Sequence, residues 1–181
     1  MLRVLMIAML AFGTSAAFAQ HHPQQQHVGP YTGLQSRSVK ALSTEQIADL
    51  KAGRGMQLAL PAELNGYPGP LHVLELSSEL DLSPAQRARM QELYAAMKAE
   101  AVPLGERLIA GETELDQLFA GHTITPAQLE STSANIGRIQ AALRTAHLKY
   151  HLITVEVLSP EQVRRYNELR GYTQTIPHRL Q

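Results

Sequence analysis

His147 and His151 stand four residues apart in a stretch whose apolar spacing is helical, and side chains at i and i+4 share one face of a helix. Two imidazoles so placed can reach a single metal ion, zinc or nickel being the usual occupants. Leu148 occupies the place where a zinc protease carries its catalytic Glu, so the HExxH reading fails. Two histidines make an incomplete site. A third ligand would come from His72 or Glu75, themselves at i and i+3 on a preceding helical segment. Because His147 and His151 flank the seam residues Ala146 and Tyr150 instead of lying on the seam, partial exposure is expected, and ordinary surface histidines are the default alternative to a metal site.

A second candidate lies at the start of the chain. Cleavage after Ala19 would leave Gln20-His21-His22 at a free amino terminus, and a histidine third from a free amine can complete a square-planar nitrogen set for Cu(II) or Ni(II). Cyclisation of Gln20 would remove that amine and the site with it.

Other chemistry is excluded by what the sequence lacks. There is no cysteine, hence no thiol redox chemistry and no thiolate metal site. No Gly-x-Ser-x-Gly elbow, phosphate-cradling glycine loop or defined carboxylate pair is visible, so no enzyme is expected and no cofactor is required beyond possible Zn, Ni or Cu. Lys+Arg and Asp+Glu balance at 16 each, without the basic excess of a nucleic-acid-binding protein. Loose binding of unfolded clients is a different function, needing an exposed surface of flexible apolar and long charged side chains. Arg87, Met90, Met97, Lys98 and Arg107 lie along one long segment and are the candidates for it, against the plainer reading of the methionines as seam core.

The elements that must position these residues read as helices throughout. Residues 1–19 carry Arg3, an apolar run from Val4 to Phe12 and an Ala17-Phe18-Ala19 site, the pattern of a cleavable secretory signal. The run is shorter than the roughly 20 apolar residues of a membrane span. Residues 20–38, rich in Gln, His, Pro and Gly, are expected to form a disordered tail. One helical domain then covers residues 39–172, followed by a C-terminal tail over 173–181.

One short pattern opens four helices: Leu42-Ser43-Thr44-Glu45-Gln46, Leu82-Ser83-Pro84-Ala85-Gln86, Ile124-Thr125-Pro126-Ala127-Gln128 and Leu158-Ser159-Pro160-Glu161-Gln162. Each is a capping box, in which the Ser or Thr oxygen accepts from the backbone N–H three residues on and the Gln there reaches back to the cap's own N–H. Three copies place Pro at the first helical position, where its missing N–H costs nothing. Behind two of them, apolar or small residues alternate three and four apart: Met90, Leu93, Met97, Ala101, Leu104, Leu108, Gly111, Leu115 and Leu118, then Leu129, Thr132, Ile136, Ile139, Leu143, Ala146, Tyr150, Ile153 and Val157. These are heptad seams suited to antiparallel packing. The turn falls at Gly121-His122, and Pro103 is expected to kink the first long helix. Shorter helices are expected over Ser43–Ala52, Met56–Leu64, Leu71–Leu80 and Ser159–Arg170.

With the copies Leu82-Ser83-Pro84-Ala85-Gln86 and Leu158-Ser159-Pro160-Glu161-Gln162 framing a helical hairpin behind an export signal, the chain resembles the Spy/CpxP family. That group, which includes the zinc-resistance-associated proteins and periplasmic heavy-metal sensors, is marked by a repeated Leu-Thr-x-x-Gln motif. The likeness covers about Leu71 to Tyr172, with Ser in place of Thr in both copies. It implies an all-α fold: a kinked, long antiparallel hairpin with shorter flanking helices, working in the periplasm as a homodimer. It also implies either an ATP-independent chaperone or envelope-stress modulator, acting on misfolded envelope proteins or a membrane-anchored signalling partner, or a metal-sensing or metal-resistance protein that binds its ion through His and carboxylates.

Overall fold

The computed structural model describes residues 29–172. The expected signal over residues 1–19, with His21 and His22, and the C-terminal tail over 173–181 lie outside them. The chain divides into two units, residues 1–32 and 33–181. Of the first, residues 29–32 form a turn in which the Thr32 N–H donates to the Gly29 carbonyl at 3.1 Å.

The second unit holds six α-helices among its described residues: α1 (Thr44–Ala52), α2 (Leu60–Glu63), α3 (Pro70–Glu75), α4 (Pro84–Ala120), α5 (Pro126–Val157) and α6 (Pro160–Arg170). The described residues contain no strand, only an isolated bridge between Val39 and Leu42. All four capping boxes form, at Ser43/Gln46, Ser83/Gln86, Thr125/Gln128 and Ser159/Gln162, each with both reciprocal bonds. Gly53 and Gly171 close α1 and α6 in the left-handed conformation that only glycine adopts without strain.

α4 and α5 form the antiparallel hairpin, and the middle of each seam buries as the spacing requires, while Leu129 at the hairpin tip is exposed, contrary to its place on the expected seam. Met90, Leu93, Met97, Ala101 and Leu108 from α4 meet Ile136, Ile139, Leu143, Ala146 and Tyr150 from α5. The buried residues form two clusters. The one near the open end gathers Met90, Leu93 and Tyr150 with Val73, Leu158 and Tyr166; the other gathers Ala101, Leu108 and Ile139 with Leu50 of α1. Full burial of each large apolar side chain contributes about 1.5–3 kcal/mol. Gly105 lets α1 cross α4 closely, for a Cβ there would stand 2.5 Å from the Leu50 carbonyl oxygen. α4 continues through Pro103.

Three expected boundaries change. The helix expected over Met56–Leu64 shrinks to Leu60–Glu63, because Met56 (φ 41°) and Gln57 (φ 66°) are left-handed and cannot continue a right-handed helix. The one expected over Leu71–Leu80 runs from Pro70 to Glu75 and gives way to turns. Within the expected tail, Leu34–Ser36 forms a 3-10 turn.

Candidate functional site

α5 carries a second buried stripe beside its seam: His147, His151 and Thr154. His147 is 2% exposed and His151 7%, which corrects the expectation of partly exposed flank residues. The seam spacing reports only the α4 partner, whereas the opposite side of the stripe is covered by the segment between α1 and α3. That segment meets the stripe at two glycines, in ordinary contact at Gly55 and closely at Gly69. A Cβ on Gly55 would lie 3.8 Å from His147 Nδ1, and one on Gly69 would lie 2.8 Å from His151 Cε1 and 2.9 Å from its Nε2.

The contacts of His151 set its tautomer. Its Nδ1 lies 2.6 Å from the Tyr67 carbonyl oxygen, which can only accept, so Nδ1 carries the proton. In the neutral ring the lone pair is then at Nε2, the arrangement in which a backbone carbonyl orients a metal-binding imidazole. Glu63 is buried beside it, with Oε2 3.7 Å from His151 Nδ1. Its oxygens are already engaged: Oε1 accepts from the Tyr166 hydroxyl, and Oε2 from the Gly69 N–H at 3.3 Å. Burial, followed by the hydrogen bond to Glu63, pushes the Tyr166 hydroxyl well above the usual tyrosine range, so it remains a donor.

His147 Nε2 is buried without a hydrogen-bond partner. Burial, reinforced by the neighbouring His151, holds its pKa below the ordinary histidine value, which keeps the ring neutral. Both histidines line a cleft of about 300 Å³ together with Met56, Met97, Tyr94 and His72.

The structure therefore brings His72 to the same cleft as the histidine pair, while Glu75 is committed elsewhere. Glu75 Oε2 takes His72 Nδ1 at 3.0 Å and Arg170 Nη2 at 2.6 Å. Its pKa is lowered, because the bonds from His72 and Arg170 outweigh the opposing effect of partial burial. Among the described residues no cluster of three His, Asp or Glu is placed to hold a metal ion. The expected third ligand from Glu75 is thus not supplied.

The client-binding set separates. Met90 and Met97 are buried in the α4–α5 core, which corrects their assignment to an exposed client surface; they sit on the seam, and the seam is covered. Arg87 and Arg107 are exposed, and half-buried Lys98 rests its ammonium 5.9 Å from the Tyr94 ring centroid. The motif residues do more than cap. Leu82 and Leu158 are buried, and the Gln86 and Gln162 side chains, beyond their own caps at Ser83 and Ser159, reach each other. Sequence reasoning missed Glu63, Tyr67, Gly69 and Tyr166 as neighbours of the histidines; Glu63 ends the short helix α2, and Tyr67 and Gly69 follow it in a stretch without periodicity.

A family model described as heavy-metal resistance matches residues 67–165, more than half of the 181-residue chain. The match begins at the residue whose carbonyl holds His151 and includes His72, His147 and both Leu-Ser-x-x-Gln copies. No curated protein and no solved structure matches the chain.

Proposed function

Because the chain belongs to the heavy-metal resistance family, the helical Leu-Thr-x-x-Gln group of Spy and CpxP, we propose that it acts in the periplasm as a metal-responsive envelope protein. It holds a transition-metal ion between His147 and His151. The observation that carries this reading is the buried, unpartnered His147 Nε2 beside a His151 ring oriented through the Tyr67 carbonyl. A buried polar atom without a partner is costly, and a metal ion supplies the missing interaction. When bound, the ion is a point charge that links α5 to the segment covering it. Gly69 allows that segment to close over the His151 ring, and Glu63 and Tyr166 hold it down. Metal binding that tightens this closure is then a signal other proteins can read.

Titration of the full chain with metal ions tests the reading. Affinity is expected to fall at least tenfold, equivalent to about 1.4 kcal/mol, on His147→Ala. An isotherm indifferent to that substitution overturns it. Export and dimerisation belong to the same proposal, supported by the Ala17-Phe18-Ala19 pattern and the family likeness; they are read from the mass of the exported protein by intact mass spectrometry and light scattering.

A chaperone activity of Spy type is the second reading, favoured by the exposed apolar side chains near the hairpin tip. Phe119 is 52% exposed and Leu129 43%. Suppressed aggregation of an unfolded model protein, lost in Phe119→Ser/Leu129→Ser, is the expected result; equal suppression by that variant removes the tip from the reading.

A further inference from the structure

The donor set of the cleft bears on which metal it takes. Side chains with soft or borderline donor atoms line one cleft: the imidazoles of His147 and His151, the thioethers of Met56 and Met97, and His72, whose Nδ1 is already bonded to Glu75. The two thioethers are uncharged, and burial holds the His147 pKa below the ordinary histidine value. The one carboxylate in the lining, Glu63, has its oxygens engaged by Tyr166 and Gly69, and Glu75 is engaged by His72 and Arg170. Met56 also stands in a left-handed conformation at φ 41°, which is unfavourable for a side chain of its size and persists only where the surrounding structure imposes it.

Net charge then decides between metals. An ion in a buried cleft loses hydration energy that grows steeply with its charge, and only charged ligands or dense hydrogen bonding offset the loss. The lining offers a single carboxylate, Glu63, so the charge of a monovalent ion is compensated more fully than that of a divalent one. Thioether sulfur points the same way, because it selects Cu(I) over zinc or nickel. We infer that the cleft is a site for a soft monovalent cation, Cu(I) or its redox-inert analogue Ag(I), with the Met56 and Met97 sulfurs joining the His147 and His151 nitrogens.

The inference rests on the reading that His147 and His151 bind metal, and the test separates the two. The full chain is titrated with Cu(I) under reducing conditions against a chromophoric competitor, with Ag(I), and with Zn(II) and Ni(II). Cu(I) and Ag(I) are expected to bind at least tenfold more tightly than Zn(II), and Met56→Leu and Met97→Leu each to weaken Cu(I) at least tenfold. Methionine-to-leucine exchange nearly conserves volume, and thermal melts confirm that the variants fold. Methyl-labelled methionine gives a readout on the unaltered protein: the Met56 and Met97 resonances shift with Ag(I), while that of Met90, buried away from the cleft lining, stays in place. Tight Zn(II) or Ni(II) binding that depends on His147, with both leucine variants neutral and the methyl resonances unmoved, overturns the soft-metal assignment and leaves the metal reading intact. Absence of any binding that depends on His147 overturns both.

Discussion

Gln86 and Gln162, one from each Leu-Ser-x-x-Gln copy, exchange hydrogen bonds through their side-chain amides. Gln86 Nε2 donates to Gln162 Oε1 at 2.8 Å, and Gln162 Nε2 donates back to Gln86 Oε1 at 3.1 Å. Each amide also donates to a backbone carbonyl, Gln86 to Val157 at 3.0 Å and Gln162 to Leu80 at 3.1 Å. Each oxygen accepts in addition from its own cap, Ser83 N–H at 3.1 Å and Ser159 N–H at 2.9 Å. Two helix starts 76 residues apart thus form one network that ties the beginning of α4 to the α5–α6 corner.

Substituting either glutamine removes a cap and leaves partners unsatisfied. Gln162→Leu is expected to destabilise the fold by about 2 kcal/mol, combining a lost capping bond with half-buried carbonyls left unpaired. Gln128→Leu, in the Thr125 box, where the Gln bonds only its own cap, is expected to cost about 1 kcal/mol or less. A double-mutant cycle between Gln86 and Gln162 should return a coupling of roughly 0.5–3 kcal/mol. Urea denaturation measures all three; additive single effects would show the cross-pair to be energetically silent.

Gly69 and Gly105 are both sites of close approach with different neighbours. Gly69→Ala pushes a Cβ against the His151 ring, and Gly105→Ala pushes one against the Leu50 carbonyl. Both should destabilise by about 1–3 kcal/mol, the usual cost of overpacking. Only Gly69→Ala should weaken metal binding, since it displaces the ring that the Tyr67 carbonyl orients. Equal metal affinity in the two variants would separate His151 from the site.

Acid should loosen the fold through His147. Its folded pKa lies below the ordinary 6.5, so the unfolded chain binds more protons as the pH drops. The contribution is intact above about pH 6.5 and is lost as the pH falls toward and through the folded value. The melting temperature is expected to decline between about pH 7 and pH 5, and His147→Gln to flatten that decline. Metal affinity falls over the same window, because the proton and the ion compete for the ring. A variant as acid-sensitive as the parent would place the effect elsewhere.

Tyr166 is fully buried and donates to Glu63. Tyr166→Phe keeps the packing but leaves a buried carboxylate oxygen short of a donor, at a cost of about 1–3 kcal/mol. Pairing it with Glu63→Leu should recover part of that loss, because the buried carboxylate is then gone, and only part, because the Gly69 N–H loses its acceptor. A worse double variant would show that the Gly69 N–H, left without its acceptor, costs more than the recovered loss.

Much of the fold was legible because its signals are local. A capping box needs only a Ser or Thr and a Gln three residues later, and all four form where the sequence places them. A seam needs only periodicity, and Met90 through Leu108 and Thr132 through Tyr150 bury as spaced. The loop around Met56 was misjudged because nothing in residue type announces left-handed backbone at Met56 and Gln57; the fold imposes it.

The pairing of His147 with His151 was equally local, since four residues of helix put two imidazoles on one face whatever surrounds them. Their burial was not. A heptad pattern reports the face turned toward one partner helix and is blind to a second covering layer, and the segment around Gly55, Glu63, Tyr67 and Gly69 has no period to announce where it lies. Sequence alone therefore determined the helices, their caps and the shared face of the two histidines. Tertiary structure decided that this face borders a cleft, that Met56 and Met97 line it and that its one carboxylate is already engaged, because those facts depend on contacts between residues far apart in sequence, such as Glu63 with Tyr166, 103 positions on.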